Sequence, residues 1–169
     1  EKALEVCSGM PSGSGGSLED ICTIGVAGKY KNMALCKEVS RDQRLQCYTI
    51  IAGLENDPNI CAEAESSMVD QCYLQYAMDK KDSSICLKLS DISQKDSCYD
   101  RLANQLGDVT LCNKIMNFGQ KDNCYFNMAM RFGNTSYCDS ITNNDQKQSC
   151  LNNNQNRGNA IPLQEPRKQ

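Results

Sequence analysis

Apolar residues recur along the chain at spacings that predict a helix, here named helix B, in each of several similar units. In five units an apolar residue and an alanine stand four and five places after a cysteine: Val26–Ala27, Ile51–Ala52, Tyr76–Ala77, Leu102–Ala103 and Met128–Ala129. Four of these cysteines are also followed directly by a tyrosine, at Tyr48, Tyr73, Tyr99 and Tyr125. Residues at these spacings lie on one face of a helix, so they predict its buried stripe.

A second and shorter helix, helix A, is predicted before helix B. Its apolar positions flank a different set of cysteines, as Ile60 and Ala64 flank Cys61. Four residues before these cysteines stands a residue that caps helix N-termini well: Asn32, Asp57, Asp82, Asp108 and Asn134. The Ser-x-x-Asp sequences that begin at Ser17, Ser67 and Ser93 resemble capping boxes and predict the start of helix B. Helix B is expected to end near a glycine, at Gly107, Gly133 and Gly158.

The spacing of the cysteines shows that this unit is repeated six times. Each helix-B cysteine is followed after 14 residues by the next helix-A cysteine, and the return gap is 11 or 12 residues, or 15 in the first unit. The repeat is therefore about 25–26 residues long. Its six copies occupy approximately residues 1–31, 32–56, 57–81, 82–107, 108–133 and 134–158.

The pairing of the cysteines can be argued from their heights in an antiparallel hairpin. If helix A continues about five residues past its cysteine and helix B begins about four residues before its own, the two cysteines lie level. Joining a helix-B cysteine to the next helix-A cysteine instead leaves a mismatch of roughly 9 Å, too far for bridged Cα atoms that lie ~4.4–6.8 Å apart. We therefore predict one disulfide within each hairpin: Cys7–Cys22, Cys36–Cys47, Cys61–Cys72, Cys86–Cys98, Cys112–Cys124 and Cys138–Cys150.

Composition excludes several classes of function. The 169 residues include 12 cysteines and no histidine, which removes histidine triads and imidazole ligands. Zinc sites built from cysteine use close pairs such as C-x-x-C, and the chain has none. With 18 Lys+Arg against 21 Asp+Glu, no basic surface for nucleic acid is expected. We expect no enzymatic activity, no cofactor and no metal.

The cysteine content also bears on the compartment. An even and high number of cysteines is typical of oxidising environments. No apolar run approaches the ~18 residues of a membrane span. We therefore expect a secreted, extracellular or cell-surface protein whose signal peptide has been removed.

The run of stapled helical hairpins resembles the Sel1-like and tetratricopeptide-type α-solenoids, particularly the secreted, cysteine-rich kind. The resemblance covers about residues 3–158 and rests on the alternation of helices A and B and on the small residue of helix B. It implies an all-α, right-handed α-solenoid in one domain over residues 1–159, followed by a C-terminal tail, 160–169. It also implies a concave face that binds a protein or peptide. The chain is similar, more weakly, to repeat proteins that form extracellular fibres on archaea.

The ends of the array suggest how copies could join. The stretch from Ile21 to Gly28 is uncharged, although a terminal repeat of a solenoid usually faces water with polar residues. An insertion at 11–17, rich in Gly and Ser, is typical of a flexible linker. We expect a neighbouring copy to cover the first repeat and thereby build a filament. The candidate assembly contacts are Ile21, Ile24, Val26, Ile161 and Leu163. The alternative is a monomeric secreted module that binds a peptide or protein in its concave face.

Three further features have a structural and a functional interpretation each. The tyrosine series could line a ligand groove, but it is more readily explained as core between repeats. The aspartates two places before helix-B cysteines (Asp20, Asp70, Asp96 and Asp122) could form an acidic ligand site, but a carboxylate in the first turn of a helix also favours the helix dipole. Asn134 begins a glycosylation sequon and is also the expected cap of its helix.

Overall fold

The computed structural model of the chain describes residues 5, 7–8, 12–13 and 16–158. This part is all-helical apart from one pair of two-residue strands. Six α-helices correspond to helix B: α1 (Leu18–Tyr30), α2 (Arg41–Glu55), α3 (Val69–Lys80), α4 (Ile92–Leu106), α5 (Phe118–Phe132) and α6 (Asn144–Gly158). Five 3-10 helices correspond to helix A: η1 (Met33–Lys37), η2 (Pro58–Glu63), η3 (Ser83–Lys88), η4 (Val109–Lys114) and η5 (Thr135–Ser140).

The first repeat contains the two short strands, β1 (Ser12–Gly13) and β2 (Gly16–Ser17), which pair antiparallel. They lie in the insertion that the sequence suggested to be a flexible linker. The tail 160–169, with Ile161 and Leu163, falls outside the described residues.

Helix A differs from its prediction in type and length. The prediction extended it about five residues past the cysteine as an α-helix, whereas η2 ends two residues after Cys61 and is a 3-10 helix. At Ala64 the backbone is already extended, and at Leu89 likewise. These apolar residues are buried all the same, because the turn carries them into the core. Short connecting segments commonly take the 3-10 form, whose hydrogen bonds close after three residues.

The caps predicted for helix A are confirmed. Each of the five Asp or Asn side chains accepts a hydrogen bond from the backbone N–H two residues later, at N–O distances of 2.9–3.1 Å. The capping boxes predicted for helix B at Ser67 and Ser93 are wrong, whereas the one at Ser17, directly before α1, stays a prediction. Ser67 lies before α3, which begins without a side-chain cap, and Ser93 lies inside α4. The side chains that cap α4, α5 and α6 are Asp91, Asn117 and Asn143.

The ends of the α-helices support the glycine prediction in two cases. Gly107 and Gly133 cap α4 and α5 with φ of 71° and 65°, a left-handed conformation that glycine adopts without a Cβ clash. Asn56 and Lys81 take the same conformation after α2 and α3. The helix α6 extends to Gly158.

The predicted pairing of the cysteines within hairpins is confirmed. The disulfides Cys7–Cys22, Cys36–Cys47, Cys61–Cys72, Cys112–Cys124 and Cys138–Cys150 join Cα atoms 5.4–5.7 Å apart. Cys86 and Cys98 are also disulfide-bonded, and no cysteine is free. Each disulfide connects a 3-10 helix, or the segment before α1, to the α-helix that follows it.

The chain divides into two compact units, Glu1–Ser90 and Asp91–Gln169. In the first unit α1 packs on α2 and α2 on α3, while in the second α4 packs on α5 and α5 on α6. The predicted stripe forms the core of both units, and the alanines Ala27, Ala52, Ala77, Ala103 and Ala129 are completely buried. A single domain over residues 1–159 stays a prediction.

Candidate functional site

An apolar groove runs between α1 and α2 in the first unit. It has a volume of about 350 Å³ and is lined by Ile21, Ile24, Gly25, Gly28, Gln46, Ile50 and Leu54. Large apolar side chains at its edges face solvent, with Ile21 52% exposed and Leu54 64% exposed. Large apolar side chains left in solvent along one groove are typical of a surface that binds another molecule.

Two glycines of α1 give this groove its shape. A Cβ at Gly25 would meet no atom within 4 Å, so the groove is open there. A Cβ at Gly28 would lie 2.9 Å from Cδ1 of Leu54, so a larger residue at this position would displace the leucine. Gly28 therefore lets Leu54 lie against α1, and Gly25 leaves space beside it.

The predicted assembly contacts are only partly brought together. Ile21 and Ile24 both line the groove, although Ile24 is buried and contributes its floor. Val26 is half-buried and is not part of the lining. Ile50 and Leu54 were not predicted as contacts, because they come from the second repeat and only the uncharged stretch of the first repeat stood out in the sequence.

The corresponding surface of the second unit is polar. The groove between α4 and α5, of about 420 Å³, is lined by Ser97, Asp100, Arg101, Gln120, Asn123 and Asn127. Ser97 occupies the repeat position of Ile21, Asp100 that of Ile24, and Arg101 that of Gly25. Burial raises the pKa of the Asp100 carboxyl. Because the same hairpin accepts polar residues at these positions, the fold does not require the groove between α1 and α2 to be apolar.

A third groove lies between α2 and α3 and adjoins the apolar one. The two share Gln46 and Ile50 in their linings. The lining of the third groove also contains two exposed carboxylates, those of Asp42 and Asp79. An acidic surface therefore lies beside the apolar groove, on the far side of α2.

The tyrosine series belongs to the core, as the structural interpretation predicted. Tyr48, Tyr73, Tyr99 and Tyr125 are all buried. Burial raises the pKa of each phenol, which keeps it protonated. The ammonium groups of Lys88 and Lys114 lie 5.6 and 5.5 Å from the ring centroids of Tyr73 and Tyr99.

The aspartates two places before helix-B cysteines connect successive repeats. Oδ1 of Asp20 accepts from the backbone N–H of Ser40 at 2.9 Å, and Asp70 accepts in the same way from Ser90. Each carboxylate thereby holds the turn that follows the next 3-10 helix. The dipole interpretation is right about position for Asp20 and Asp70, which lie in the first turns of α1 and α3. It is wrong for Asp96 and Asp122, because α4 and α5 have no acidic residue in their first turns. We call this arrangement the aspartate clasp.

The clasp is most completely buried in the second unit, where Asp96 is 1% exposed and Asp122 2% exposed. Asp96 accepts from the backbone N–H groups of Met116 and Asn117. Asp122 accepts from the N–H groups of Thr142 and Asn143 and from the Thr142 hydroxyl, at 2.8–2.9 Å. Burial by itself raises the pKa of the Asp122 carboxyl, but these hydrogen bonds and the charge of Lys121 outweigh it and hold the pKa below its usual value.

The second repeat replaces the clasp by an ion pair. Leu45 stands at the position of the aspartate, and Glu65 stands where Ser40, Ser90 and Thr142 lie in their own repeats. Arg44, next to Leu45, donates to the carboxylate of Glu65 and to the backbone carbonyls of Lys37 and Val39. The connection between the second and third repeats is therefore kept with different side chains.

Asn134 is exposed and caps η5. Its side-chain oxygen accepts from the backbone N–H of Ser136 at 3.0 Å and from the Ser136 hydroxyl at 2.7 Å. The cap interpretation is confirmed, and glycosylation of this sequon stays a prediction.

A metal site has no candidate in the part of the chain that the structure describes. Among the described residues no group of three or more Cys, Asp or Glu side chains is arranged to hold a metal ion. Within the same part of the chain, no helix combines the length and the apolar character that crossing a membrane requires. Comparison with known proteins finds no matching family model, no similar curated protein and no similar solved structure.

Proposed function

We propose that this chain is a non-enzymatic structural protein of an extracellular surface, and that copies of it associate into a filament. The apolar groove between α1 and α2 is the observation that carries the proposal. It leaves Ile21 and Leu54 exposed to water, whereas the second unit has Ser97 and Arg131 at the corresponding repeat positions.

The energetic argument rests on those side chains. Complete burial of an Ile or Leu side chain is worth about 1.5–3 kcal/mol relative to exposure. The side chains of Ile21, Ile50 and Leu54 are partly exposed in the single chain. Part of their free energy of burial is therefore still available to a second molecule that covers them. If the covering surface is a different part of another copy, the contact is heterologous and repeats from copy to copy.

The stapled hairpins suit such a role. Each disulfide closes a short loop, because its two cysteines lie only 11–15 positions apart in the sequence. The chain-entropy estimate gives about 3 kcal/mol per loop of this size. Subunits reinforced in this way resist unfolding and proteolysis outside the cell, where disulfides persist.

The assembly state of the native, oxidised chain tests the proposal. We expect oligomers that grow with concentration in sedimentation velocity, and fibres in negative-stain electron microscopy. The variant Ile21→Asp/Leu54→Asp should need at least tenfold higher concentration to associate, because charged side chains would have to be buried. Leu87→Asp is the matched control, since Leu87 is 66% exposed and lies outside the groove. A wild-type chain that is monomeric at every concentration would contradict the proposal.

The polar groove between α4 and α5 supports a second candidate function. Its amide, carboxylate and guanidinium groups offer hydrogen-bond donors and acceptors to an extended peptide. A monomeric secreted module that binds a peptide of another protein would use this surface. A monomeric wild-type chain that binds a partner, with affinity lost on Asp100→Ala, would favour this function over assembly.

A further inference from the structure

We propose that the groove between α1 and α2 binds residues 160–168 of a second copy, with Ile161 and Leu163 against its apolar wall. This inference rests on the proposed function, because it names the segment through which copies join. Ile161 and Leu163 are the only large apolar side chains in residues 159–169, Asn-Ala-Ile-Pro-Leu-Gln-Glu-Pro-Arg-Lys-Gln.

The groove has room for such side chains. Its volume of about 350 Å³ lies within the range of sites that bind small ligands, ~300–1,000 Å³. Gly25, where a Cβ would meet no atom within 4 Å, lines the groove together with the exposed side chains of Ile21 and Ile50. An incoming aliphatic side chain would therefore contact apolar groups on both helices.

The segment is suited to docking in an extended form. Pro162 and Pro166 fix their own φ near −65° and cannot donate the hydrogen bond that a helix interior needs. A segment with fewer accessible conformations loses less entropy when it binds. In an extended chain, residues two apart lie on the same side, which places Ile161 and Leu163 together.

Charge gives the docked segment a direction. Arg167 and Lys168 follow Leu163 by four and five residues, about 13–17 Å in an extended chain at ~3.3 Å per residue. Packed helices lie ~8–10 Å apart, so these side chains reach the groove on the far side of α2. That groove contains the carboxylates of Asp42 and Asp79. Complementary charges of this kind fix the register of a complex more than its affinity.

Donor and acceptor belong to different units of the chain. The groove lies in the unit Glu1–Ser90, and the segment follows α6 in the unit Asp91–Gln169. A copy whose groove is filled therefore still offers its own segment to the next copy. The contact repeats without using any surface twice.

Complementation between two variants of the full chain tests the inference. In the donor variant, Ile161→Asp/Leu163→Asp, the docking segment is disabled and the groove is intact. In the acceptor variant, Ile21→Asp/Leu54→Asp, the groove is disabled and the docking segment is intact. Each alone should be monomeric in sedimentation velocity. An equimolar mixture should form a 1:1 heterodimer that does not grow further, because only one productive junction exists. Far-UV circular dichroism should show that both variants retain their helices.

A peptide of residues 159–168, labelled with a fluorophore, supplies an independent measurement by anisotropy. It should bind the donor variant saturably and bind a chain with both sets of substitutions at least tenfold more weakly. Asp42→Lys/Asp79→Lys in the donor variant should weaken this binding and remove most of its salt dependence, and Asp145→Lys is the control.

The outcomes separate this inference from the proposed function. A donor variant that assembles like the wild type would overturn the inference alone and would direct attention to the exposed surface of Ile92, Met116 and Phe118. A monomeric wild type that does not bind the peptide, beside a donor variant that does, would show that each segment fills the groove of its own chain, which overturns both. A groove that does not bind the peptide would overturn the inference whatever the assembly state.

Discussion

A buried carboxylate is the residue that most directly connects one repeat to the next. Asp122 is almost completely enclosed, and its partners are backbone N–H groups and a hydroxyl. Hydrogen bonds to a charged acceptor contribute more than neutral ones, and a buried donor that loses its partner costs about 1–3 kcal/mol. The four aspartates are therefore structural, although their composition alone resembles an acidic ligand site.

We predict that Asp122→Asn lowers the free energy of unfolding by about 1–3 kcal/mol, because the uncharged amide accepts weaker hydrogen bonds and brings donors that have no partner. Urea unfolding of the oxidised chain measures the change. Asp145→Asn, an exposed position near the start of α6, is the control and should change the free energy by less than about 0.5 kcal/mol.

The same residue predicts a dependence on pH. Because the folded pKa of Asp122 is depressed, its ionised form stabilises the fold fully above the unfolded pKa, about 3.9. This contribution is lost as the pH falls through the folded value below it. The stability of the wild type should therefore fall more steeply than that of Asp122→Asn as the pH is lowered below the unfolded pKa. Parallel curves would show that Asp122 does not titrate as described.

At the scale of elements, each hairpin is a 3-10 helix, a turn and an α-helix, joined by one disulfide. The turn after the 3-10 helix is held by the preceding α-helix, through a clasp in four cases and through Arg44 and Glu65 in one. The two solutions occupy equivalent positions, since Leu45 replaces the aspartate and Glu65 replaces the hydroxyl residue. The effect on stability of substituting Leu45 should therefore depend on which residue stands at position 65.

We predict that Leu45→Asp alone destabilises the chain, because the new carboxylate would face that of Glu65. Leu45→Asp/Glu65→Ser restores the pairing seen between Asp20 and Ser40 and should recover most of the loss. The coupling free energy from the double-mutant cycle is expected to be about 1 kcal/mol or more, measured by urea unfolding. Additive effects of the two substitutions on the free energy of unfolding would show that Leu45 and Glu65 do not occupy the positions of a clasp.

At the scale of the whole molecule, we expect the disulfides to be a main source of stability beside apolar burial. Within the described residues each unit has three α-helices of 12–15 residues, and isolated helices of this length are marginal in water. Disulfides worth about 3 kcal/mol per loop sum to more than the usual stability of a domain, about 5–15 kcal/mol. The helices are therefore expected to depend on the disulfides.

We predict that complete reduction and alkylation unfolds the chain at room temperature, because its short helices are marginal without the disulfides. Far-UV circular dichroism measures the change, and most of the helical signal should be lost. A chain alkylated without reduction is the control, since it has no free thiol to modify. Retention of the helical signal after reduction would show that packing alone maintains the fold.

Much of the fold could be predicted from the sequence because its determinants are local. Asp57 accepts from the backbone N–H of Asn59, two residues away, and Cys61 pairs with a cysteine 11 residues away. The pairing was right even though its premise about helix A was wrong, because the turn after η2 brings the cysteines level just as a longer helix would.

The remainder depends on contacts that span repeats. Asp20 binds Ser40 and Leu54 lies over Gly28, so neither contact can be seen within one repeat. The available signal was the coincidence of an aspartate with a hydroxyl residue 20 positions later, and it is present for Asp20, Asp70 and Asp122 but not for Asp96, which is followed by Met116. Likewise, Ile21 and Ile24 of the groove were predicted from the sequence, but Ile50 and Leu54 were not, because they come from the neighbouring helix.

The clasp has a consequence for how the chain can change in length. It spans 20 residues from aspartate to partner wherever it occurs, because the 14-residue gap between repeats never varies. Every difference in length falls between the two cysteines of a hairpin, which are 11, 12 or 15 residues apart. An insertion there is enclosed by its own disulfide and leaves the register of the next repeat unchanged. The turns inside the hairpins are thus the places where evolution, or an engineer, can add sequence to this scaffold.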